Sequence, residues 1–173
     1  MAKIVNTPLD FVELGSSPSS APSGYHRVYA KSDGYLYAKD SSGNEFLLST
    51  AEFTIPYLID GGGSVITTGF KGGIYIPFGY KVLEWTMGSV DPANTSGSIV
   101  VDLYTDTHAN FPPAAGDSIT GSAKPTISSS NKAQSSTLTG WTITQGAGRW
   151  LFYKVDSVTS LLFVSLNIKC IRT

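Results

Sequence analysis

Between Phe53 and Asp106 the chain runs in short apolar, β-branched stretches, each closed by Gly, Pro, Asn or Asp. It reads FTIPYLIDGGGSVITTGFKGGIYIPFGYKVLEWTMGSV, then a Pro/Asn/Gly break, then GSIVVDLYTD. Apolar runs closed by turn formers predict a series of strands joined by tight turns. Period-two alternation supports this where the runs are longest. Ile99, Val101 and Leu103 oppose Asp102, Tyr104 and Asp106, and Leu83, Trp85 and Met87 oppose Glu84 and Thr86. Leu162, Val164, Leu166, Ile168 and Cys170 likewise oppose Ser165, Asn167 and Lys169. Such alternation marks sheets with one buried and one wet face. Strands are expected near 53–60, 64–70, 73–77, 80–90, 97–106, 138–144, 149–157 and 160–171. That many strands favour a sandwich or jelly roll over an open sheet.

The predicted fold class is all-β. An antiparallel, jelly-roll-like β-sandwich over 53–173 follows an extended N-terminal arm (1–24) and a small β-hairpin module (25–52). The arm carries apolar anchors at Ile4, Leu9, Phe11 and Val12, then a Ser/Pro/Gly linker, GSSPSSAPSG, that cannot bury enough apolar surface to fold by itself. In isolation it is expected to be disordered, with its anchors docking on a neighbouring subunit rather than on their own domain. In the module, YHRVYAK, KSDGYLYAKD and NEFLLST alternate around the turns Ser32-Asp33-Gly34 and Ser41-Ser42-Gly43-Asn44. Tyr25 and Tyr29 share one strand face, as do Tyr35 and Tyr37. Three short strands make a thin core, so these tyrosines, with the arm anchors, are the candidate partner-binding residues. The segment 107–137 holds His108, Pro112, Pro113, Gly116, Pro125 and a hydroxyl-rich run. It reads as an irregular loop that crosses the sandwich end to meet a neighbour.

Composition narrows the function classes. Charged residues make up 14% of the 173, against about a quarter in typical soluble domains. A neutral, hydroxyl-rich surface suits packing into an assembly, because little charge is desolvated on contact. The net charge is −1 with no Lys/Arg cluster, which argues against a nucleic-acid partner. The lone Cys170 rules out an internal disulfide and a cysteine zinc site, and its alternation with Ile168 reads as burial. No signal-peptide core follows Met1-Ala2-Lys3 and no apolar run is long enough for a membrane helix, so synthesis in a reducing cytoplasm is expected.

No catalytic constellation stands out. Asp102, Asp106, His108 and Asp117 could form a metal or hydrolytic cluster only if an irregular loop brought them together, so solvated edge charges are the better reading. Gly61-Gly62-Gly63 lacks the spacing, the following Lys-Ser/Thr and the helix of a phosphate loop, and reads as a turn. No Gly-x-Ser-x-Gly elbow occurs. Catalytic, cofactor and metal sites are therefore expected to be absent. Trp85 shares a face with Leu83 and Met87 and reads as core. Trp141 and Trp150 are the candidate glycan or subunit contacts, because both adjoin glycine-containing turns.

Two stretches carry a family resemblance. Tyr29-x-Lys31-x-Asp33-Gly34-x-Leu36-Tyr37-x-Lys39-Asp40-x-x-Gly43 resembles a small β-module of tailed-bacteriophage structural proteins. Ile59-Asp60-Gly61-Gly62-Gly63, Thr67-Thr68-Gly69, Ile76-Pro77-Phe78, Gly97 to Asp102, Asp117-Ser118-Ile119 and Leu138 to Trp141 resemble a β-sandwich recurrent in phage virion proteins. The resemblance implies a virion component with a jelly-roll-like domain, commonly trimeric. The function expected from it is a capsid decoration (cement) protein bridging neighbouring major capsid subunits, assembled in the host bacterial cytoplasm. The competing expectation is a tail-fibre or head-fibre protein whose sandwich binds a host-surface glycan. The expected partners are the major capsid protein and the chain itself as a homotrimer, with no membrane and no nucleic acid.

Overall fold

The computed structural model describes residues 11–32, 34–48, 52–90 and 96–173. The chain divides into two compact units, Met1–Ala51 and Glu52–Thr173.

In the first unit, β1 (Glu13–Leu14) pairs parallel with β2 (Arg27–Lys31), which continues as an antiparallel meander through β3 (Leu36–Lys39) and β4 (Glu45–Leu47). Asp40 builds the β3–β4 turn. Its Oδ1 accepts the backbone N–H groups of Ser42 and Asn44 at 2.9 and 2.8 Å, and Gly43 takes a φ of +89°. Asp33, of the other turn, lies outside the described residues. The pairing register puts Arg27, Tyr29, Lys31, Tyr37, Lys39 and Glu45 on one face. Val28, Ala30, Leu36, Ala38 and Phe46 occupy the other.

The Ser/Pro/Gly linker departs from its expected disorder and lies along the polar face of this sheet. Lys39 Nζ donates to Ser17 Oγ at 2.8 Å and to the Pro18 carbonyl at 2.9 Å, and Arg27 Nη1 donates to Ser19 Oγ at 2.7 Å. The Ala21 N–H bonds to the Asp40 carbonyl, and Ala21 is buried. Hydrogen bonds from long cationic side chains order a segment that apolar burial could not.

The second unit holds β5 (Glu52–Asp60), β6 (Gly69–Ile76), β7 (Tyr80–Ser89), β8 (Gly97–Thr107), β9 (Thr126–Ser130), β10 (Lys132–Ser135), β11 (Thr144–Gln145), β12 (Arg149–Thr159) and β13 (Phe163–Arg172). One sheet has the order β10-β7-β13-β5, with β11 also on β7, and the other β6-β12-β8-β9. Among the described residues the strand pairings in these sheets are antiparallel. The chain alternates between sheets from β5 to β8, and again from β9 through β10 and β12 to β13. Two interlocked Greek keys of this kind make a jelly roll, so the all-β sandwich expected from the strand pattern is the fold observed.

Side chains from both sheets meet in one core: Ile55 and Ile59 of β5 and Val164, Leu166, Ile168 and Cys170 of β13 pack with Ile99, Val101 and Leu103 of β8 and Leu151 and Val155 of β12. Tyr57 and Tyr153 link the sheets reciprocally. Their tilted rings meet at 4.2 Å between centroids, Tyr57 Oη donates to the Leu151 carbonyl at 3.0 Å, and Tyr153 Oη donates to the Leu58 carbonyl at 3.2 Å. Burial pushes the Cys170 thiol up to about 12, which keeps it protonated and inert.

Several expected strands are redrawn. The pieces 64–70 and 73–77 are replaced by the single strand β6, which starts only at Gly69, and Lys71 is an extra residue between the pairs Tyr153–Gly72 and Lys154–Phe70. In 138–144 only Thr144 is in a strand; Leu138 to Gly140 form a turn capped by the Trp141 N–H. The region 107–137 is not structureless, for it contains short 3-10 turns at His108–Asn110 and Ala115–Asp117 and the hairpin strands β9 and β10. In β7 the inward positions are Tyr80 and Val82, then Trp85 and Met87, while Leu83 is only half-buried. A bulge at Leu83, between the pairs Lys169–Glu84 and Cys170–Val82, shifts the phase. Before β13, Leu161 is the fully buried residue and Leu162 is not.

Candidate functional site: an aromatic face on the second sheet

Strand β12 alternates Leu151, Tyr153 and Val155 toward the core with Trp150, Phe152 and Lys154 on the outer face. The register sets Trp150 beside Tyr75 and Asp106, Phe152 beside Gly73 and Tyr104, and Lys154 beside Phe70 and Asp102. Gly73 matters here. A Cβ at that position would stand 2.6 Å from Phe152 Cδ2, so only glycine lets the ring lie across β6.

The rings then form a connected patch. Phe70 meets Tyr104 and Phe152 at 5.2 and 6.2 Å between centroids, and Phe152 meets Phe111 and Trp150 at 5.6 and 6.0 Å. Trp150 meets Phe111 at 5.1 Å, Tyr75 at 5.6 Å and His108 at 6.3 Å. Trp150 Nε1 donates to His108 Nδ1 at 3.1 Å, which ties the 3-10 turn after β8 to the sheet. Phe70, Tyr75 and Phe111 are 50%, 44% and 49% exposed, a concentration of open aromatic surface on one face.

At the other end of the face lies a charge network. Asp102 is 1% exposed, with Oδ1 accepting from Ser118 Oγ at 2.7 Å and from Thr120 Oγ1 at 2.5 Å, and Oδ2 2.9 Å from Lys124 Nζ. Lys124 also pairs with Asp156 at 2.6 Å, and Asp156 with Lys154 at 2.9 Å. Burial pushes the Asp102 carboxyl up, but the bonds from Thr120, Ser118 and Lys124 outweigh it and hold the group below the usual carboxylate range. Lys124 is shifted upward by its bonds to Asp156 and Asp102. The reading of Asp102 as a solvated edge charge is therefore overturned, because the 118–124 segment covers it. Asp156 is the extra residue of a bulge in β12, which brings its carboxylate to both lysines.

The four residues weighed as a metal or hydrolytic cluster have separate partners. Asp106 accepts from the Thr107 N–H and Asn110 Nδ2, His108 bonds Trp150, and Asp117 Oδ2 accepts from the Ala114 N–H. Among the described residues no group of three His, Cys, Asp or Glu is placed to hold a metal ion.

The candidate contact residues are scattered. Trp150 belongs to the aromatic face, but Trp141 is buried, and its Nε1 donates to the Ala123 carbonyl at 2.8 Å. Tyr29 is buried too, its hydroxyl bonded to Glu45 and to Ser17. Tyr25 is 68% exposed, whereas Tyr35 and Tyr37 are half-buried, with Tyr37 stacked on Tyr29 at 5.9 Å and under Lys31 Nζ at 4.1 Å. Phe11 and Val12 are exposed; Ile4 and Leu9 lie outside the described residues. Tyr75 and Phe111 were not singled out from the sequence, and His108 only as a possible metal or hydrolytic residue, since only cross-strand register and the turn after β8 bring the three to Trp150.

A second exposed apolar surface lies in the first unit. On the non-polar face of its sheet, Val28 and Phe46 are 43% and 48% exposed. Leu48, whose N–H bonds to the Leu36 carbonyl, extends that face and is 54% exposed. Compared with known families and with curated proteins, the chain matches no family model and no curated sequence.

Proposed function

We propose that the chain is a non-enzymatic structural component of a tailed-bacteriophage particle, a capsid decoration protein that ties neighbouring major capsid subunits together as a homotrimer. The observation that carries this reading is the half-open N-terminal sheet. The chain's own linker lies along its polar face, while Val28, Phe46 and Leu48 stay exposed on the other. A sheet of four short strands open on one apolar side is a poor end state in water. Covering it with another protein surface completes the layer.

Phe11 and Val12 of the arm are exposed as well and would add apolar contact with a partner. A specific interface buries about 800 Å² per partner, and three such modules on a trimer act multivalently, so no single contact needs to be strong. Asp102, Asp106, His108 and Asp117, weighed as a hydrolytic cluster, each bond to separate local partners and not to one another, which favours a structural role.

The test is to add the full-length chain to heads assembled without it. Occupancy of many sites across the head lattice is the expected result, with Phe46→Ser/Leu48→Ser abolishing it while the sandwich still unfolds cooperatively. A few copies confined to one vertex or to the tail would favour a fibre, and undiminished occupancy by the double variant would refute the N-terminal face as the anchor.

A further inference from the structure

Tyr75, His108 and Trp150 border an open cleft of about 380 Å³ on the outer face of the second sheet. Their ring centroids are 5.6, 6.4 and 6.3 Å apart, the spacing of aromatic rings in contact with one another. The three rings therefore fill their own triangle. A quaternary ammonium, which needs rings around it, has no room between them, and a ligand must lie over them instead.

The polar atoms point to the same kind of ligand. The indole N–H of Trp150 is already spent on His108 Nδ1, so what this half-buried side chain has left to offer is the exposed part of its ring. In the neutral tautomer assigned from that bond, His108 carries its proton on Nε2, a donor at the cleft edge. Asp106 pairs across from Trp150 and accepts from Asn110 Nδ2 at 3.3 Å, placing a carboxylate and an amide beside the rings. Among the described residues no Lys or Arg borders the cleft, so none of them would hold a phosphate backbone there.

We propose that this face binds a neutral glycan. A pyranose would lay its C–H face, whose hydrogens are partially positive, on the electron-rich ring of Trp150, with Tyr75 beside it. Its hydroxyls would reach Asp106, Asn110 and His108. The site lies wholly within the second unit and stands whether or not the N-terminal sheet docks on a capsid.

The test titrates the full-length chain with glucose, galactose, mannose and N-acetylglucosamine and their short linear oligomers, following tryptophan fluorescence and protein NMR shifts. The expected result is saturable binding of at least one series, with Trp150→Ala and Tyr75→Ala each weakening it by about tenfold or more, the cost of removing a well-seated aromatic contact. Asp106→Asn should weaken it by a smaller factor. Tyr75 lies on a sheet-edge strand and is 44% exposed, so its variant keeps the fold if Trp150→Ala does not. Binding by none of these sugars, or binding retained in Tyr75→Ala, overturns the proposal. So does a lower sedimentation coefficient in Tyr75→Ala, which would make the face a contact between copies of the chain.

Discussion

Asp102 shows at the scale of one residue why a charge can sit under a sheet surface. Its carboxylate lost water but gained two hydroxyl donors and an ammonium, and donors to a charged group contribute about 1.5–3 kcal/mol each before desolvation is subtracted. Asp102→Ala should therefore cost about 2–3 kcal/mol in urea unfolding, because it leaves Lys124 and two hydroxyls without their shared acceptor. The same geometry sets a pH dependence. A carboxyl held below its ordinary value stabilises the fold above the unfolded value and loses that contribution as pH falls through the lowered one. The wild type should lose urea stability on acidification below about pH 4, and Asp102→Asn should lose less. Glu45 of the first unit behaves alike. Bonds from Lys31, Ser17 and Tyr29 hold it at about 2, so the first unit should loosen as pH falls from the ordinary carboxylate range toward that value, seen as early loss of Tyr29 protection in NMR.

At the scale of the element, β-bulges decide which side chains the strands bury. The extra residue at Leu83 means that a strict alternation through β7 predicts the wrong partner for Val82. Deleting two methyl groups at fully buried Val82 should then cost more than deleting a larger group at half-buried Leu83. Urea unfolding should give about 2 kcal/mol for Val82→Ala and under about 1 for Leu83→Ala. Gly73 carries the matching prediction for the aromatic face. Gly73→Val should displace Phe152, lower stability by about 1–3 kcal/mol, and alter the near-ultraviolet circular dichroism of the cluster. Strand positions with clear alternation and no bulge, such as Ile99 to Leu103 and Val164 to Cys170, were legible from the sequence. Those around Lys71, Leu83 and Asp156 were not, because an inserted residue leaves no mark on composition and shows only against a partner strand.

At the scale of the whole molecule, the two units differ in what sustains them. Residues 52–173 enclose a core drawn from both sheets, and as a separate chain they should unfold in one cooperative transition with a midpoint close to that of the full chain, measured by calorimetry. Residues 1–51 have a thin sheet and should fold only marginally alone. The sequence by itself determined the all-β class, most of the long strands, the buried Cys170 and Trp85, and the turn-rich punctuation between them. These follow from side-chain period and turn chemistry, which are local. Only the tertiary structure decided the jelly-roll strand order, the burial of Asp102 and Trp141, the linker's seat on its own sheet and the gathering of Tyr75, His108, Phe111 and Trp150. Each depends on which distant strand lies alongside, and pairing between residues far apart in the chain is set by the packing of the whole core rather than by any stretch read alone.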